Sequence, residues 1–240
     1  MAQHNPTTNH VAAPHRIDFG DLRRLTPISR AFGFERGQPV DRYYIEQFLA
    51  EHAADIHGRV LEIGDDHYTR HFGGDRVQHA DVLDLPREDS RATIVGDLQD
   101  AEHIPGNVFD CIIFTQTLQY IFWLETAVTS LHRLLRPGGV LLGTFPVISQ
   151  ICRFDMDRWG DYWRFTSASI HRLLSGVFPT DQLTVTAHGN VLTAVSFLHG
   201  LSAHELTAEE LDFHDPDYQL LITARAVKMK NSAKEVPHDY

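Results

Sequence analysis

A short apolar run that stops at a glycine, Val60-Leu61-Glu62-Ile63-Gly64, constrains the fold of this chain more than any other stretch. Its apolar residues predict a buried strand, because strands of a parallel sheet are covered on both faces and need no strict alternation. The glycine allows a sharp turn and lets a ligand approach the backbone closely. In an open α/β sheet, ligands bind beyond the carboxyl ends of the strands. Taken alone, the run predicts either a ligand site or an ordinary turn after a buried strand.

Four further strand candidates follow this run at regular intervals, at 77–83, 92–95, 109–115 and 140–145. An amphipathic helix predicted at 118–135 precedes the fifth strand and stops at Arg136-Pro137-Gly138-Gly139, where proline and glycines break it. Strands alternating with helices indicate βαβ units and a parallel sheet. The remaining pattern predicts helices at 41–54 (capped by Asp41), 167–174 and 191–201, and strands at 183–187 and 218–227.

Composition excludes several classes of protein. The net charge of −11 argues against a general nucleic-acid binder, which needs cations to neutralise phosphates. The 16 histidines are scattered and the two cysteines form no metal pattern, so no metal site is predicted. Cys111 lies in an apolar run and reads as a core thiol, which suits a reducing cytoplasm. Neither a signal peptide nor a membrane-spanning run is recognised, so we expect a cytoplasmic protein without a membrane partner.

Five motifs occur in an order that resembles class I S-adenosylmethionine-dependent methyltransferases of the type 11 group. They are Val60–Gly64 in the first strand, an acid at the end of the second (Asp81 or Asp84), Gly96-Asp97-Leu98 after the third, Phe109-Asp110 opening the fourth, and Leu135–Gly139 before the fifth. The resemblance covers roughly 43–178. It implies S-adenosylmethionine as the cofactor. It also implies a Rossmann-like, doubly wound α/β fold, with a seven-stranded sheet and an antiparallel last strand.

The resemblance also implies which residues contact the cofactor. A carboxylate after the second strand accepts hydrogen bonds from the ribose hydroxyls, and Asp81 is the first choice with Asp84 as the alternative. Asp97 is expected to accept from the adenine amino group. An arginine ahead of the first strand, Arg36 or Arg42, can pair with the methionine carboxylate through its planar fork. The predicted set is Glu62, Gly64, Tyr68, Asp81, Asp97, Leu98, Gln116, Arg42 and Tyr43.

The loop after the first strand departs from the family pattern. Asp65, Asp66 and His67 stand where the family has further small residues that let the backbone approach the cofactor. In one interpretation the loop takes another path and Tyr68 or Thr69 contacts the amino acid end. In the other, the site is degraded and the protein is a non-catalytic relative that binds a ligand or partner.

Residues after the fourth and fifth strands are expected to form the acceptor side. Candidate catalytic residues are Tyr120, Asp155, Asp157 and His67, and candidate substrate-binding residues are Gln119, Trp159, Tyr162 and Arg164. Aromatic faces with interspersed charges suit a small acceptor, most simply a hydroxyl of a sugar or secondary metabolite. The alternative is a packed structural cap in which Arg164 pairs with Asp161 or Asp157. The oligomeric state stays open, with a homodimer as one candidate.

The domain prediction follows from these assignments. One methyltransferase-fold domain is expected over 17–230, with an N-terminal lid segment at 17–56 and a substrate-side insertion at 146–166. Polar tails are expected at 1–16 and 231–240.

Overall fold

A single mixed sheet forms the centre of the molecule. The computed structural model describes residues 18, 20–86 and 91–230, so the predicted tails at 1–16 and 231–240 lie outside the described residues. Seven strands in this part of the chain take the order β3-β2-β1-β4-β5-β7-β6. Their bounds are β1 Gly58–Ile63, β2 Val77–Asp84, β3 Ile94–Val95, β4 Phe109–Thr115, β5 Leu135–Pro146, β6 Leu183–His188 and β7 Leu221–Val227. Strands β1 to β5 pair in parallel, and β7 is antiparallel to β5 and β6. The predicted doubly wound fold with an antiparallel last strand is confirmed.

Helices cover both faces of the sheet. In the described residues the α-helices are α1 Val40–Glu51, α2 Leu124–Leu134, α3 Arg153–Met156, α4 Ser167–Leu174, α5 Val191–His199 and α6 Ala208–Asp212. Helices α2 and α4 contribute to one apolar cluster with Leu61 and Ile112. Helices α1 and α5 contribute to a second cluster with Val60 and Ile113. Adjacent residues of one strand therefore face opposite clusters, which is why these strands lack polar alternation. None of the helices described is long and apolar enough to cross a membrane.

Two element boundaries differ from the sequence prediction around β5. The predicted helix 118–135 is a single 3-10 turn at Leu118–Tyr120 followed by α2, which begins only at Leu124. Strand β5 begins at Leu135, since this residue pairs with Phe109 of β4 across a register shift. The ladder continues through the proline–glycine turn, where Gly138 donates to Lys228 and Lys228 donates to Gly139. Pairing with distant strands therefore makes 135–139 part of β5, although the local sequence pattern predicts only the end of a helix there.

The first turn of α1 also differs from the prediction. Asp41 lies inside the helix and provides no side-chain cap, because Pro39 occupies the capping position. The Asp41 side chain is instead buried against Arg42, whose Nη1 donates to Asp41 Oδ2 at 3.1 Å. This carboxylate belongs to the wall of a cavity described below.

A cover lies over the carboxyl edge of the sheet and is built from two distant segments, 20–39 and 197–205. The backbone N–H groups of Ile28 and Ser29 donate to the His199 carbonyl at 2.9 and 3.0 Å. The Ala203 N–H donates to the Gln38 carbonyl at 2.7 Å, and Arg36 forms an ion pair with Glu205. The N-terminal segment is thus held over the sheet edge by the connection that follows α5.

Candidate functional site

One large cavity lies at the carboxyl edge of the sheet, beneath the cover. Its volume is about 1190 Å³, somewhat larger than the usual range of roughly 300–1,000 Å³ for small-molecule sites. Four strand ends contribute to its wall: Gly64 after β1, Asp84 at the end of β2, Asp97 after β3 and Gln116 after β4. The parallel topology brings these sequence-distant residues together, because carboxyl ends of parallel strands meet at one edge.

The turn after β1 is shaped by Gly64 and Glu62. Gly64 has φ +86°, and a Cβ built on it would meet no atom within 4 Å, so a side chain here would occupy free space at the cavity. The buried Glu62 carboxylate accepts from the backbone N–H groups of Tyr68 and Thr69 at 3.2 and 2.7 Å. Burial raises the pKa of Glu62 to about 7, although these hydrogen bonds oppose the shift. The acid thus folds the altered loop back on the strand, and Tyr68 lies in the cavity wall.

The first-choice ribose ligand, Asp81, is wrongly placed by the sequence prediction. Asp81 lies in the interior of β2, opposite Leu61 of β1, and does not line the cavity. Its carboxylate accepts from Arg59 Nε at 2.6 Å and from Thr93 Oγ1 at 2.9 Å. Strand β2 continues for three residues beyond it, so the alternative, Asp84, is the carboxylate at the strand end that lines the cavity.

Asp97 and Leu98, which the sequence predicts to lie beside adenine, both line the cavity after β3. The Asp97 carboxylate accepts from the Gln99 backbone N–H at 2.8 Å and from Gln99 Nε2 at 3.2 Å. Gln99 Oε1 in turn accepts from the Trp123 backbone N–H at 3.0 Å. Gln99 also lines the cavity and was missed by the sequence reasoning, because nothing local marks it.

Arg42 is the arginine of the N-terminal segment that reaches the cavity. It lines the wall together with Tyr68 and Tyr120. Burial raises the pKa of the neighbouring Asp41, with the Arg42 guanidinium offsetting part of that rise. Arg36, the other candidate, does not line the cavity and instead pairs with Glu205.

Tyr43 was predicted to contact the cofactor, and this placement is also wrong. Tyr43 is not part of the cavity wall, and its hydroxyl donates to Asp212 Oδ1 at 2.7 Å. That hydrogen bond and burial raise the pKa of Tyr43 to about 12. Consecutive helical residues point about 100° apart, so Arg42 faces the cavity while Tyr43 faces α6.

The turn after β4 carries two unusual glutamines. Gln116 has φ +47°, a left-handed conformation that is uncommon outside glycine. Gln119 is buried, and its Nε2 donates to the Gln116 carbonyl at 2.8 Å. Both side chains line the cavity. Among the described residues, neither Gln116 Nε2 nor Gln119 Oε1 has a hydrogen-bond partner.

Tyr120 and Asp155 lie together in the same part of the cavity. Burial, followed by the charge of Asp155 and a hydrogen bond with it, raises the pKa of Tyr120 far above its usual range. Cys152 also lines the cavity, and burial followed by its hydrogen bond with Asp155 raises the pKa of that thiol. The Tyr120 hydroxyl is therefore a proton donor at neutral pH and not a base.

The segment after β5 divides into residues that face the cavity and residues that do not. Trp159 and Arg164 line it, and Arg164 is paired with Asp161 at 2.5 Å, as the structural-cap alternative proposed. Tyr162 does not line it; its hydroxyl donates to the Trp159 carbonyl at 3.0 Å. Asp157 is exposed, at 4.0 Å from Arg153, and also lies outside the cavity wall. These two candidates are therefore corrected to surface positions.

His67, the remaining catalytic candidate, does line the cavity at the altered loop. Its ring stacks on His71 with 6.0 Å between centroids. The cover adds Phe32, Phe34, Phe197 and His204 to the wall, and none of these was predicted as a site residue. Only tertiary contacts bring 32–34 against 197–204, so no local sequence signal identifies this side of the site.

Comparison with known proteins agrees with the fold and with the motif order. Residues 36–143 match the family model described as a methyltransferase domain. A SAM-dependent methyltransferase from Archaeoglobus fulgidus is 12% identical, with 83% of this chain and 100% of that chain covered and a TM-score of 0.54. A SAM-dependent methyltransferase from Thermotoga maritima is 16% identical, with 81% and 94% covered and a TM-score of 0.52. No curated protein is similar enough in sequence to be matched. The resemblance to class I methyltransferases is confirmed, and the expected cofactor, S-adenosylmethionine, agrees with it.

Proposed function

We propose that this protein transfers a methyl group from S-adenosylmethionine to a hydroxyl of a small acceptor, a sugar or a secondary metabolite. The main support for the proposal is that one cavity contains both the residues expected to bind the cofactor and those expected to bind the acceptor. One wall presents Gly64, Asp84 and Asp97 at three strand ends, and the adjoining wall presents Tyr120 and Asp155. A methyl donor and an acceptor bound against these two walls would meet inside one space under the cover.

The residues present fit the cofactor by chemical type. Asp84 offers carboxylate oxygens for a ribose diol, and Asp97 offers them for an exocyclic amine. Arg42 offers a guanidinium for a carboxylate, since the bond to Asp41 engages only one of its nitrogens. Free space at Gly64 accommodates a ligand near the turn after β1. When bound, the cofactor supplies an electrophilic methyl group on a sulfonium.

The chain itself supplies alignment, exclusion of water and a path for one proton. Tyr120 keeps its proton and shares it with Asp155, so its phenolic oxygen can accept a hydrogen bond from an acceptor hydroxyl. The carboxylate of Asp155, beside it, can take the proton that an acceptor hydroxyl loses. Phe32 and Phe34 in the cover limit access of water to the space where these groups meet.

A non-catalytic, ligand-binding relative is the second candidate, and the loop 65–67 is the observation that favours it. Asp65 and His67 bring larger side chains to a stretch where small residues let the backbone approach a ligand. The two candidates differ in turnover and not in cofactor binding. A protein of the second kind binds S-adenosylhomocysteine but produces none from S-adenosylmethionine with any acceptor.

Titration calorimetry with S-adenosylhomocysteine, followed by a turnover assay, tests the proposal. We expect saturable binding of S-adenosylhomocysteine. Because a ligand that binds only the native state stabilises that state, the melting temperature should also rise. Formation of S-adenosylhomocysteine that depends on an added hydroxylated acceptor then supports catalysis. Absence of binding by a folded sample would contradict the proposed function, and binding without turnover across a broad acceptor set would favour the second candidate.

A further inference from the structure

Gln116 combines a left-handed backbone conformation with a buried side-chain amide nitrogen that lacks a hydrogen-bond partner in the described part of the chain. Its backbone is in the left-handed region at φ +47°, and its side-chain Nε2 is buried without a partner among the described residues. A strained non-glycine residue and an unsatisfied buried amide each destabilise the native state. When such costs coincide at one residue that lines a cavity, they mark a functional position and not a structural one. The missing partner of this donor is therefore expected to come from a ligand.

Gln119 completes the arrangement with an acceptor. It is 4% exposed, and its Nε2 donates to the Gln116 carbonyl. A carbonyl oxygen can only accept, so this bond fixes which end of the Gln119 amide is the nitrogen. Its Oε1 then lies on the other side, and it lacks a partner among the described residues. The turn after β4 thus presents one unpaired donor and one unpaired acceptor.

A hydroxyl group matches such a pair because it donates one hydrogen bond and accepts others. Tyr120 and Asp155 are hydrogen-bonded to each other in the same part of the cavity, and their oxygens can accept further hydrogen bonds from a hydroxyl. The amide pair together with these oxygens suits two neighbouring hydroxyls of one ring. The indole of Trp159, also in the wall, offers an aromatic face to such a ring.

The arginines of this half of the cavity are already occupied. Arg164 donates to both Asp161 carboxylate oxygens and to the carbonyls of Trp163 and Gln150. Arg158 lies 3.6 Å from the centroid of the Phe154 ring and donates to the Phe154 carbonyl. Arg42 also reaches the wall near Tyr120, but the proposed function assigns its guanidinium to the carboxylate of the cofactor. Because Asp155 adds a carboxylate at the same place, an acceptor with a phosphate or carboxylate would meet repulsion and, among the described residues, no unassigned guanidinium.

We infer that Gln116 and Gln119 form an amide pair that binds the methyl acceptor, and that this acceptor is a neutral ring with neighbouring hydroxyl groups, of the hexose or deoxyhexose type. The inference rests on the proposed function, since it concerns the acceptor half of the same cavity. It moves Gln116 from the cofactor side, where the sequence placed it, to the acceptor side.

The inference that the acceptor is uncharged is tested in protein saturated with S-adenosylhomocysteine. Saturation-transfer NMR is measured with p-nitrophenyl glycosides of gluco, galacto, manno and 6-deoxy-galacto configuration. The best neutral binder is then compared with its uronate and its 2-amino analogue. We expect the neutral glycoside to bind at least about tenfold more tightly than the uronate. Equal or tighter binding of the uronate or of the amine overturns the inference, as does no binding of any neutral glycoside.

The residue part is tested with Gln116→Met, which removes the donor and keeps the side-chain length. We expect the neutral glycoside to bind about tenfold more weakly, with S-adenosylhomocysteine affinity changed less than twofold. The matched control is Gln182→Met, the same change at an exposed residue outside the cavity wall, which should leave both affinities unaltered. Loss of S-adenosylhomocysteine affinity in Gln116→Met would instead return this residue to the cofactor side and overturn the inference.

A second variant, Gln116→Gly, separates binding from folding. Glycine adopts φ +47° without strain, so this variant should melt at a higher temperature than the wild type while binding the glycoside as weakly as Gln116→Met. A lower melting temperature with unchanged glycoside affinity would make Gln116 a structural residue. Failure of S-adenosylhomocysteine to bind the wild type contradicts the proposed function itself and is a different outcome from any of these.

Discussion

Three positions along β2 separate a carboxylate inside the strand, Asp81, from one that lines the cavity, Asp84. Asp81 is held inside β2 by Arg59 and Thr93, whereas Asp84 ends the strand at the cavity. We expect Asp84→Asn to weaken S-adenosylhomocysteine binding by roughly 1–3 kcal/mol, as for loss of a hydrogen bond to a charged group. Asp81→Asn should leave binding unchanged and lower the free energy of unfolding by about 1 kcal/mol or less, because Arg59 is well exposed.

Calorimetry and urea unfolding of both variants distinguish these effects. The assignment of the ribose carboxylate fails if Asp81→Asn loses more affinity than Asp84→Asn. The two substitutions are chemically identical, so each serves as the control for the other.

Glu62 should make stability depend on pH. Its pKa is raised from 4.5 to about 7 by burial, so between these values the native state binds more protons than the unfolded state. The free energy of unfolding therefore falls as pH rises through this window, by an amount on the order of 3 kcal/mol, and is constant above it. Glu62→Gln cannot titrate, so the wild-type value minus the variant value should decrease from pH 4.5 to pH 7.

Urea unfolding of both proteins at half-unit intervals of pH measures this difference. A difference that rises with pH would show that the two backbone hydrogen bonds outweigh burial and that Glu62 is ionised throughout.

At the scale of elements, the segment after β5 contains an aromatic residue inside the cavity and one outside it. Trp159→Ala should impair acceptor binding or turnover with cofactor affinity retained, because Trp159 lines the cavity in the part that the proposal assigns to the acceptor. Tyr162 packs on Phe122 with 5.3 Å between ring centroids. Tyr162→Ala should therefore mainly lower the free energy of unfolding, by about 1–2 kcal/mol, and with it the melting temperature.

Paired kinetic and melting measurements test both statements with one matched substitution. If Tyr162→Ala impairs turnover at low temperature as strongly as Trp159→Ala, the division of this segment is incorrect.

The elements differ in how well the sequence predicted them. The bounds of β4 and α4 were predicted without error, since each has a strong local pattern and a clear stop. The start of β5 was missed because it depends on pairing of Leu135 with Phe109. Most residues predicted to contact the cofactor line the cavity, and the exceptions are Asp81, which lies inside β2, and Tyr43, which faces α6. The residues that the cover adds to the cavity wall were not predicted, because the contacts of the cover join residues more than 160 positions apart.

At the scale of the whole molecule, the cover over the cavity is held by contacts between two segments that are distant in sequence. We expect S-adenosylhomocysteine to slow hydrogen exchange at the amides of Ser29 and Ala203, which bond across the two cover segments. Phe32, Phe34 and Phe197 line the cavity, so a bound ligand stabilises the closed cover. If the ligand slows hydrogen exchange only around 62–68 and 96–99, ligand binding does not stabilise the cover.

The position of β7 has a consequence for synthesis of the protein. The strand made last in the sheet lies between β5 and β6, so β6 has no place in the sheet until residues 221–227 exist. A growing chain on the ribosome therefore carries β5 with an open, apolar edge through the production of about eighty further residues. We therefore expect chains that end before β7 to be digested faster by protease, and to associate more readily through the open edge of β5, than the chain that contains β7.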